Sequence, residues 1–334
     1  MANRAAVMTG LDTIELQDQP EPTPGPRRAV VGVEAVGVCG SDTAYFTVGR
    51  IADWVVDGPF ILGHEAAGVL RVGTEVREVA VGDRVAIEPG TPCRDCRECM
   101  AGRYHLCPDL AFLATPPYHG ALVEQMAIDA RNLYRIPDDM GYSRGRSWSR
   151  CRWASGGAGV RRCSRVTTCW SPGAGPVGLL AGASARALGA GSVTLTDVSD
   201  FRLGLARSLG FVVERGDAPG EGAFDVLLEC SGAPGVLAAA LGRLRPAGRA
   251  AMIGMPRQES VGLPLPQLTA REISLSLVHR YNHTWPLAID LVSSGRVDVR
   301  PLVTHHFPLA GTAEALTLAG RVPDSVKAVI HPQQ

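Results

Sequence analysis

The apolar and polar positions of the chain fall into two regimes. Through the first 90 residues the apolar runs are of strand length, at 13–16, 29–38, 68–72 and 83–87. They are rich in β-branched residues and bounded by Gly, Pro and Asp, as strands are. Residues 20–26 form a proline-rich connection. We read 29–38 as an alternating strand that delivers Cys39 at its end, and the whole stretch as a compact all-β region. From residue 173 strands and helices alternate. A helix is predicted over 179–188, a strand over 192–196, a strand over 224–230, a helix over 236–244 and a strand over 248–254. Such alternation predicts a doubly wound parallel sheet.

Between the regimes lies a segment that obeys neither. Residues 143–172 hold seven arginines, three of the five tryptophans and three of the nine cysteines, with no Asp, Glu, Leu or Ile. Neither a period of 3.6 nor one of 2 gathers their apolar residues on a face. An Arg-rich run with interleaved Trp can be read as a nucleic-acid or membrane patch. Charge elsewhere argues against it: taking those seven from the 33 basic residues leaves 26 against 33 acidic ones. The remainder is mildly acidic, which implies no nucleic-acid partner.

At 334 residues the chain is long enough for two domains with their own cores. Its 46% hydrophobic and 20% charged content is that of a globular protein, and 39 glycines suit a turn-rich α/β architecture. No apolar run approaches membrane-spanning length. The N-terminus lacks a basic region, apolar core and cleavage site, so a cytoplasmic protein is expected.

The candidate chemistry begins with metal ligands. Gly63-His64-Glu65 puts an imidazole beside a carboxylate, and Cys39 supplies a thiol 25 residues earlier. These are zinc ligand types, and three protein ligands leave a fourth position for water or substrate. On these residues alone, a buried Cys and a surface His-Glu pair are an equal reading. Cys93, Cys96, Cys99 and Cys107 form C-x2-C-x2-C-x7-C, the spacing of a closed structural zinc site rather than of a redox pair. In a chain of this size such spacing argues for metal, not disulfides.

Val38-Cys39-Gly40-Ser41-Asp42, Gly63-His64-Glu65, Val81-Gly82-Asp83-Arg84-Val85 and the four-cysteine run resemble the zinc-containing medium-chain dehydrogenases, and within them the sorbitol (polyol) dehydrogenases. Ala86-Ile87-Glu88-Pro89-Gly90, Gly102-Arg103-Tyr104, Ala114-Thr115-Pro116-Pro117 and Arg280-Tyr281-Asn282-His283-Thr284-Trp285-Pro286 extend the likeness over nearly all of the chain except 143–172. The resemblance implies an α/β protein with a GroES-like β-rich catalytic domain and a doubly wound Rossmann cofactor domain. The catalytic domain would span 1–142 with a structural-zinc lobe, the NAD-binding domain 143–279, and 280–334 would return to the first. In the family, 143–172 should be a helix opening with Glu-Pro-Leu, then a strand. Read one base earlier, codons available to residues 144–156 spell Glu-Gly-Ala-Leu-Leu-Glu-Pro-Leu-Ser-Val-Gly-Val-Trp. The segment therefore reads as a frame slip near Ser143 with a compensating slip near Pro172. The family's Glu beside the catalytic zinc is replaced here by Trp148-Ser149, and Cys151, Cys163 and Cys169 receive no metal role.

Gly173-Ala174-Gly175-Pro176-Val177-Gly178 fits G-x-G-x-x-G ahead of a helix. In that setting the glycines let backbone approach a pyrophosphate resting on the helix N-terminus. Asp197, 19 residues beyond Gly178, stands where an acid binds the adenosine ribose hydroxyls and favours NAD over NADP. Arg202 matches a basic residue that flanks the adenosine in the resembling family. Cys230 reads as an inert core residue, and His279, His305 and His306 as structural or exposed.

The resemblance implies oxidation of a secondary alcohol of a polyol at a zinc held by Cys39, His64 and Glu65. Ser41 would start the proton relay; Ala44 stands where related alcohol dehydrogenases carry a relay His. Tyr45, Phe112, Thr115, Arg280 and Tyr281 match positions lining the polyol pocket. The alternatives are an amino- or cyclitol dehydrogenase of the same family, or a non-catalytic zinc- and NAD-binding relic. A homo-oligomer, dimer or tetramer, is expected, with a small-molecule substrate and neither nucleic acid nor membrane as partner.

Overall fold

A computed structural model of the chain describes residues 3–73, 79–138, 140, 164–218, 220, 222–256 and 258–334. The chain divides into two compact units, Met1–Ser149 with Leu302–Gln334, and Arg150–Pro301.

The first unit is built on the strand Arg28–Gly37. It pairs antiparallel with Glu65–Val72 along its length, with Gln125–Asp129 at its start and with Lys327–His331 at its end. Leu133–Arg135, Arg84–Ile87 and Val303–Pro308 complete a seven-stranded sheet. The expected alternation in 29–38 is absent. Val30, Val31, Val33, Ala35 and Val36 are all buried, in a strand that other strands flank on both sides. Each buried valine contributes roughly 1.5–3 kcal/mol, which makes this strand the spine of the unit. A second sheet, Thr13–Gln19, Asn3–Gly10 and Phe60–Ile61, shares the same core.

Among the described residues the all-β expectation fails in one place. Gly40–Val48 is a helix with Cys39 as its N-cap. The Asp42 side chain accepts a hydrogen bond from the Cys39 backbone N–H at 2.9 Å, and Gly49, at φ 78°, closes the other end in the left-handed conformation. Gly, Ser, Asp and Thr at its start are weak helix formers, so apolar periodicity misses it. The reciprocal cap between residues three apart is the signal that announces it.

The second unit carries a six-stranded parallel sheet ordered Val212–Arg215, Ser192–Asp197, Thr168–Pro172, Phe224–Glu229, Leu244–Met252 and Ser274–Leu277. The first strand in sequence lies centrally and the order reverses beside it, which is the doubly wound arrangement. That central strand is made from the last five residues of the anomalous segment. Trp170 is buried, stacks on Phe224 with ring centroids 5.4 Å apart, and lies under the Arg243 guanidinium at 4.3 Å. The backbone N–H and hydroxyl of Thr168 both donate to Asp225 at 2.8 Å. Helix Pro176–Ala187 follows the strand. Residues 143–163, with Trp148, Ser149, Cys151 and Cys163, lie outside the described residues, and so does the expected helix there. Among the described residues no helix is long and apolar enough to cross a membrane.

Candidate metal centres and cofactor site

Cys39, His64 and Glu65 come together in the first unit, with a ligand atom of each within 4.8 Å of the others. The fold does this with two adjacent strands. Arg28–Gly37 ends just before Cys39, and Glu65–Val72 begins at the carboxylate, with Gly37 paired to Glu65. Between them sits Asp42, 1% exposed. Its Oδ2 accepts from Cys39 N–H, and its Oδ1 accepts from Gly63 N–H at 3.0 Å and faces His64 Nδ1 at 3.3 Å. With Nδ1 so engaged, Nε2 is the nitrogen available to a metal. Burial alone would depress the His64 imidazole. The Asp42 carboxylate and the Cys39 sulfur outweigh it and hold the ring well above its ordinary value. In this enclosure a cation is stabilised, whether a proton or a metal.

Glu65 meets a second partner. Lys327 Nζ lies 2.5 Å from its Oε2 and 2.5 Å from the Val38 carbonyl oxygen, with both side chains 3% exposed.

Cys93, Cys96, Cys99 and Cys107 form a four-sulfur cluster within the same 4.8 Å limit. Cys107 Sγ is 3.4 Å and Cys99 Sγ 3.9 Å from Cys93 Sγ. A tetrahedron with zinc–sulfur bonds of about 2.3 Å has edges of about 3.8 Å, so the sulfurs match a zinc shell. Backbone N–H groups of Cys93, Cys96 and Cys99 point at sulfurs of the cluster at 3.4–3.5 Å. The Cys99 N–H, the largest cause, brings the Cys96 thiol down to about 7. A buried carboxylate, Glu88, holds the lobe to the sheet by accepting from Tyr104 and Tyr134 hydroxyls at 2.8 and 3.0 Å.

In the second unit, Gly173-Ala174-Gly175-Pro176-Val177-Gly178 turns from the central strand into the helix Pro176–Ala187. Gly173 has φ 91°, and a Cβ on Gly178 would lie 1.7 Å from the Gly173 carbonyl oxygen. At Gly175 a Cβ would meet nothing within 4 Å, so the backbone there stands open to a ligand. Asp197, at its own strand end, is 9% exposed. It accepts from Ala174 N–H at 2.8 Å and Ser199 N–H at 2.9 Å, with Arg202 Nη1 at 3.8 Å. The acid thus fastens the glycine turn to the neighbouring strand.

Residues 25–138 match the family described as the alcohol dehydrogenase GroES-like domain, and 176–294 match the zinc-binding dehydrogenases. A sorbitol dehydrogenase of Bacillus subtilis is 36% identical, covering 99% of this chain and 98% of that protein. An L-idonate 5-dehydrogenase of Vitis vinifera is 33% identical over 98% of this chain and 94% of its own. A solved Escherichia coli oxidoreductase/dehydrogenase of unknown specificity superposes with a TM-score of 0.93 at 30% identity, covering 99% of both chains. The chain belongs to the zinc-containing medium-chain dehydrogenases. Zinc is accordingly its metal, which the two ligand clusters fit, and the glycine turn fits a dinucleotide.

The remaining dehydrogenase positions are distributed over both units. Ser41 is half-buried in the first turn of the helix that follows Cys39. Phe112 lies against the ligand cluster, its ring 5.8 Å from that of His64. Thr115 is half-buried in the loop beyond, its N–H donating to the Phe112 carbonyl. Tyr45 is 2% exposed and packs in the hydrophobic core of the first unit. Arg280 and Tyr281 belong to the second unit; Arg280 is half-buried at φ 55°, and Tyr281 is buried with its ring edge-on to Trp285. Cys169 is fully buried in the central strand. Cys230 sits just past a strand end, and burial pushes its thiol to about 12, so it stays protonated. His279 is exposed, His305 pairs with Thr304 and His306 with His331. Asp42 and Lys327 are the site residues that sequence reasoning missed. Asp42 was legible as the last member of Cys-Gly-Ser-Asp, but Lys327 lies 262 positions from its partner.

Proposed function

We propose that the chain is a cytoplasmic, homo-oligomeric polyol dehydrogenase that oxidises a secondary alcohol of a sorbitol-like substrate with NAD. The observation that carries this reading is the convergence of Cys39, His64 and Glu65 in a chain one-third identical to sorbitol dehydrogenases over nearly its full length. When bound, zinc polarises the alcohol oxygen, and the nicotinamide takes the hydride. The chain's own residues do the rest. Cys39, His64 and Glu65 hold the metal, and Asp42 fixes the imidazole tautomer. Ser41, next along from the Cys39-Gly40 turn, takes the alcohol proton toward solvent. Phe112 shields the cluster from water beside His64. Thr115 offers a polar group to the remaining hydroxyls, while Tyr45 supports the wall from the core. Gly173, Gly175, Val177 and Gly178 receive the pyrophosphate, and Asp197 with Arg202 the adenosine ribose; a carboxylate at that place repels a 2′-phosphate. Seven free cysteines among the described residues, four of them in a metal cluster, suit a reducing compartment.

A panel of sorbitol, L-idonate, 2,3-butanediol, cyclitols, amino alcohols and ethanol tests this reading. Absorbance of NADH at 340 nm should rise fastest with the open-chain polyols. Faster turnover of cyclitols or amino alcohols would move the assignment to that branch, and zinc and NAD binding without turnover of any would identify a relic.

A further inference from the structure

Lys327 is the only lysine in the chain; the other 32 basic residues are all arginine. A composition that writes nearly every positive charge as Arg keeps a Lys at one position, and that position is 2% exposed. We propose that Lys327 is a positioning residue for the dehydrogenase reaction: it competes with the catalytic zinc for the Glu65 carboxylate and sets the charge of the site. The inference rests on the reading of Cys39, His64 and Glu65 as zinc ligands.

The geometry is that of a clamp. The ammonium donates to Glu65 Oε2 and to the carbonyl of Val38, the residue before Cys39, so one side chain ties together both segments that carry ligands. It projects from Lys327–His331, a strand paired to the end of Arg28–Gly37, and Val38 N–H donates to Ala328 on that same strand. The space is closed: a Cβ on Gly37 would lie 2.8 Å from Glu65 Oε2 and 2.9 Å from Lys327 Cε. A compact ammonium fits there, while a planar guanidinium needs more room. Formal charge supplies the consequence. Zinc at +2, with Cys39, Glu65 and Asp42 each at −1, makes −1, and Lys327 returns the site to zero. Without the lysine the site would be net negative at the place where the alcohol must give up its proton. A neutral site tolerates the negative charge that proton loss leaves behind.

The experiment is a Lys327→Met substitution in the full-length enzyme, with the catalytic zinc exchanged for cobalt. A single-thiolate cobalt spectrum distinguishes this centre from the four-sulfur site. Cobalt affinity is measured by competition with a chelator. K327M should bind cobalt at least about tenfold more tightly, the scale on which partners of metal ligands act, and kcat should fall by a similar factor with the KM for NAD unchanged. In a Glu65→Gln background no carboxylate is left to compete for and only the loss of one positive charge remains, so K327M should shift cobalt affinity by a clearly smaller factor than in the wild type. Because the E65Q/K327M pair removes both buried charges, it also serves if K327M alone folds poorly. Unchanged or weaker cobalt binding in K327M, or an equal shift in the E65Q background, overturns the clamp. Absence of the single-thiolate spectrum from the wild type overturns the zinc reading itself, and the clamp with it.

Discussion

The Asp42→Asn substitution is the sharpest probe of how the metal centre is built. Asp42 is 1% exposed and serves three donors: Cys39 N–H on Oδ2, and Gly63 N–H with His64 Nδ1 on Oδ1. An amide of the same shape keeps one acceptor and replaces the other by an NH2 group. If the oxygen faces Gly63 and His64, the Cys39 N–H meets a donor. If the amide flips, Gly63 and His64 lose their acceptor. In either orientation at least one buried N–H is left unsatisfied, which costs about 1–3 kcal/mol. Domains of about 150–250 residues lose about 2–4 °C of melting temperature per kcal/mol, and the first unit is of that size, so a fall of roughly 2–12 °C is expected. Loss of the carboxylate behind His64 should also weaken zinc roughly 10–100-fold, or about 1.4–2.7 kcal/mol. Thermal melting and chelator competition measure the two effects, and NAD affinity, a property of the other unit, should be unchanged. Wild-type melting together with wild-type zinc affinity in D42N would refute the account of this site.

Two further outcomes separate roles that resemble each other in sequence. Gly178→Ala puts a Cβ against the Gly173 carbonyl, so it should lower the melting temperature and weaken NAD binding at least about tenfold, whereas Gly175→Ala, where a Cβ meets nothing, should weaken NAD binding with melting unchanged; intact NAD affinity in both would remove the glycine turn from the cofactor site. Mass mapping of peptides across 140–175, on protein expressed from its native gene, should find the Glu-Gly-Ala-Leu-Leu-Glu-Pro-Leu type of peptide; recovery of Ser-Arg-Gly-Arg-Ser-Trp would dismiss the frame slip.

What the sequence disclosed follows contact order. The four-cysteine lobe spans 15 residues and is written in local spacing, so its site was legible outright. The glycine turn, its helix and Asp197 form one strand–helix–strand unit, and they were legible for the same reason. Cys39 and His64-Glu65 were legible as ligand types, but the strand pairing that joins them, Gly37 against Glu65, is a property of the fold. Lys327 reaches Glu65 only because the C-terminal strand returns to the spine of the first unit, and no local pattern encodes that. Periodicity misled at 29–38, where burial on both faces erases alternation, and at Gly40–Val48, where capping rather than an apolar stripe makes the helix. It also undervalued Thr168–Pro172. A central strand needs no alternation when both faces are covered, and Thr, Cys and Trp fill that place with the ring of Phe224 as a floor.

The most direct test of the central claim is the rate of NADH formation from sorbitol before and after removal of zinc. The account predicts turnover by the metal-loaded enzyme, its loss when a chelator empties the Cys39-His64-Glu65 centre while the four-sulfur site keeps its metal, and its return when zinc is restored. Turnover that persists without metal at that centre would contradict it.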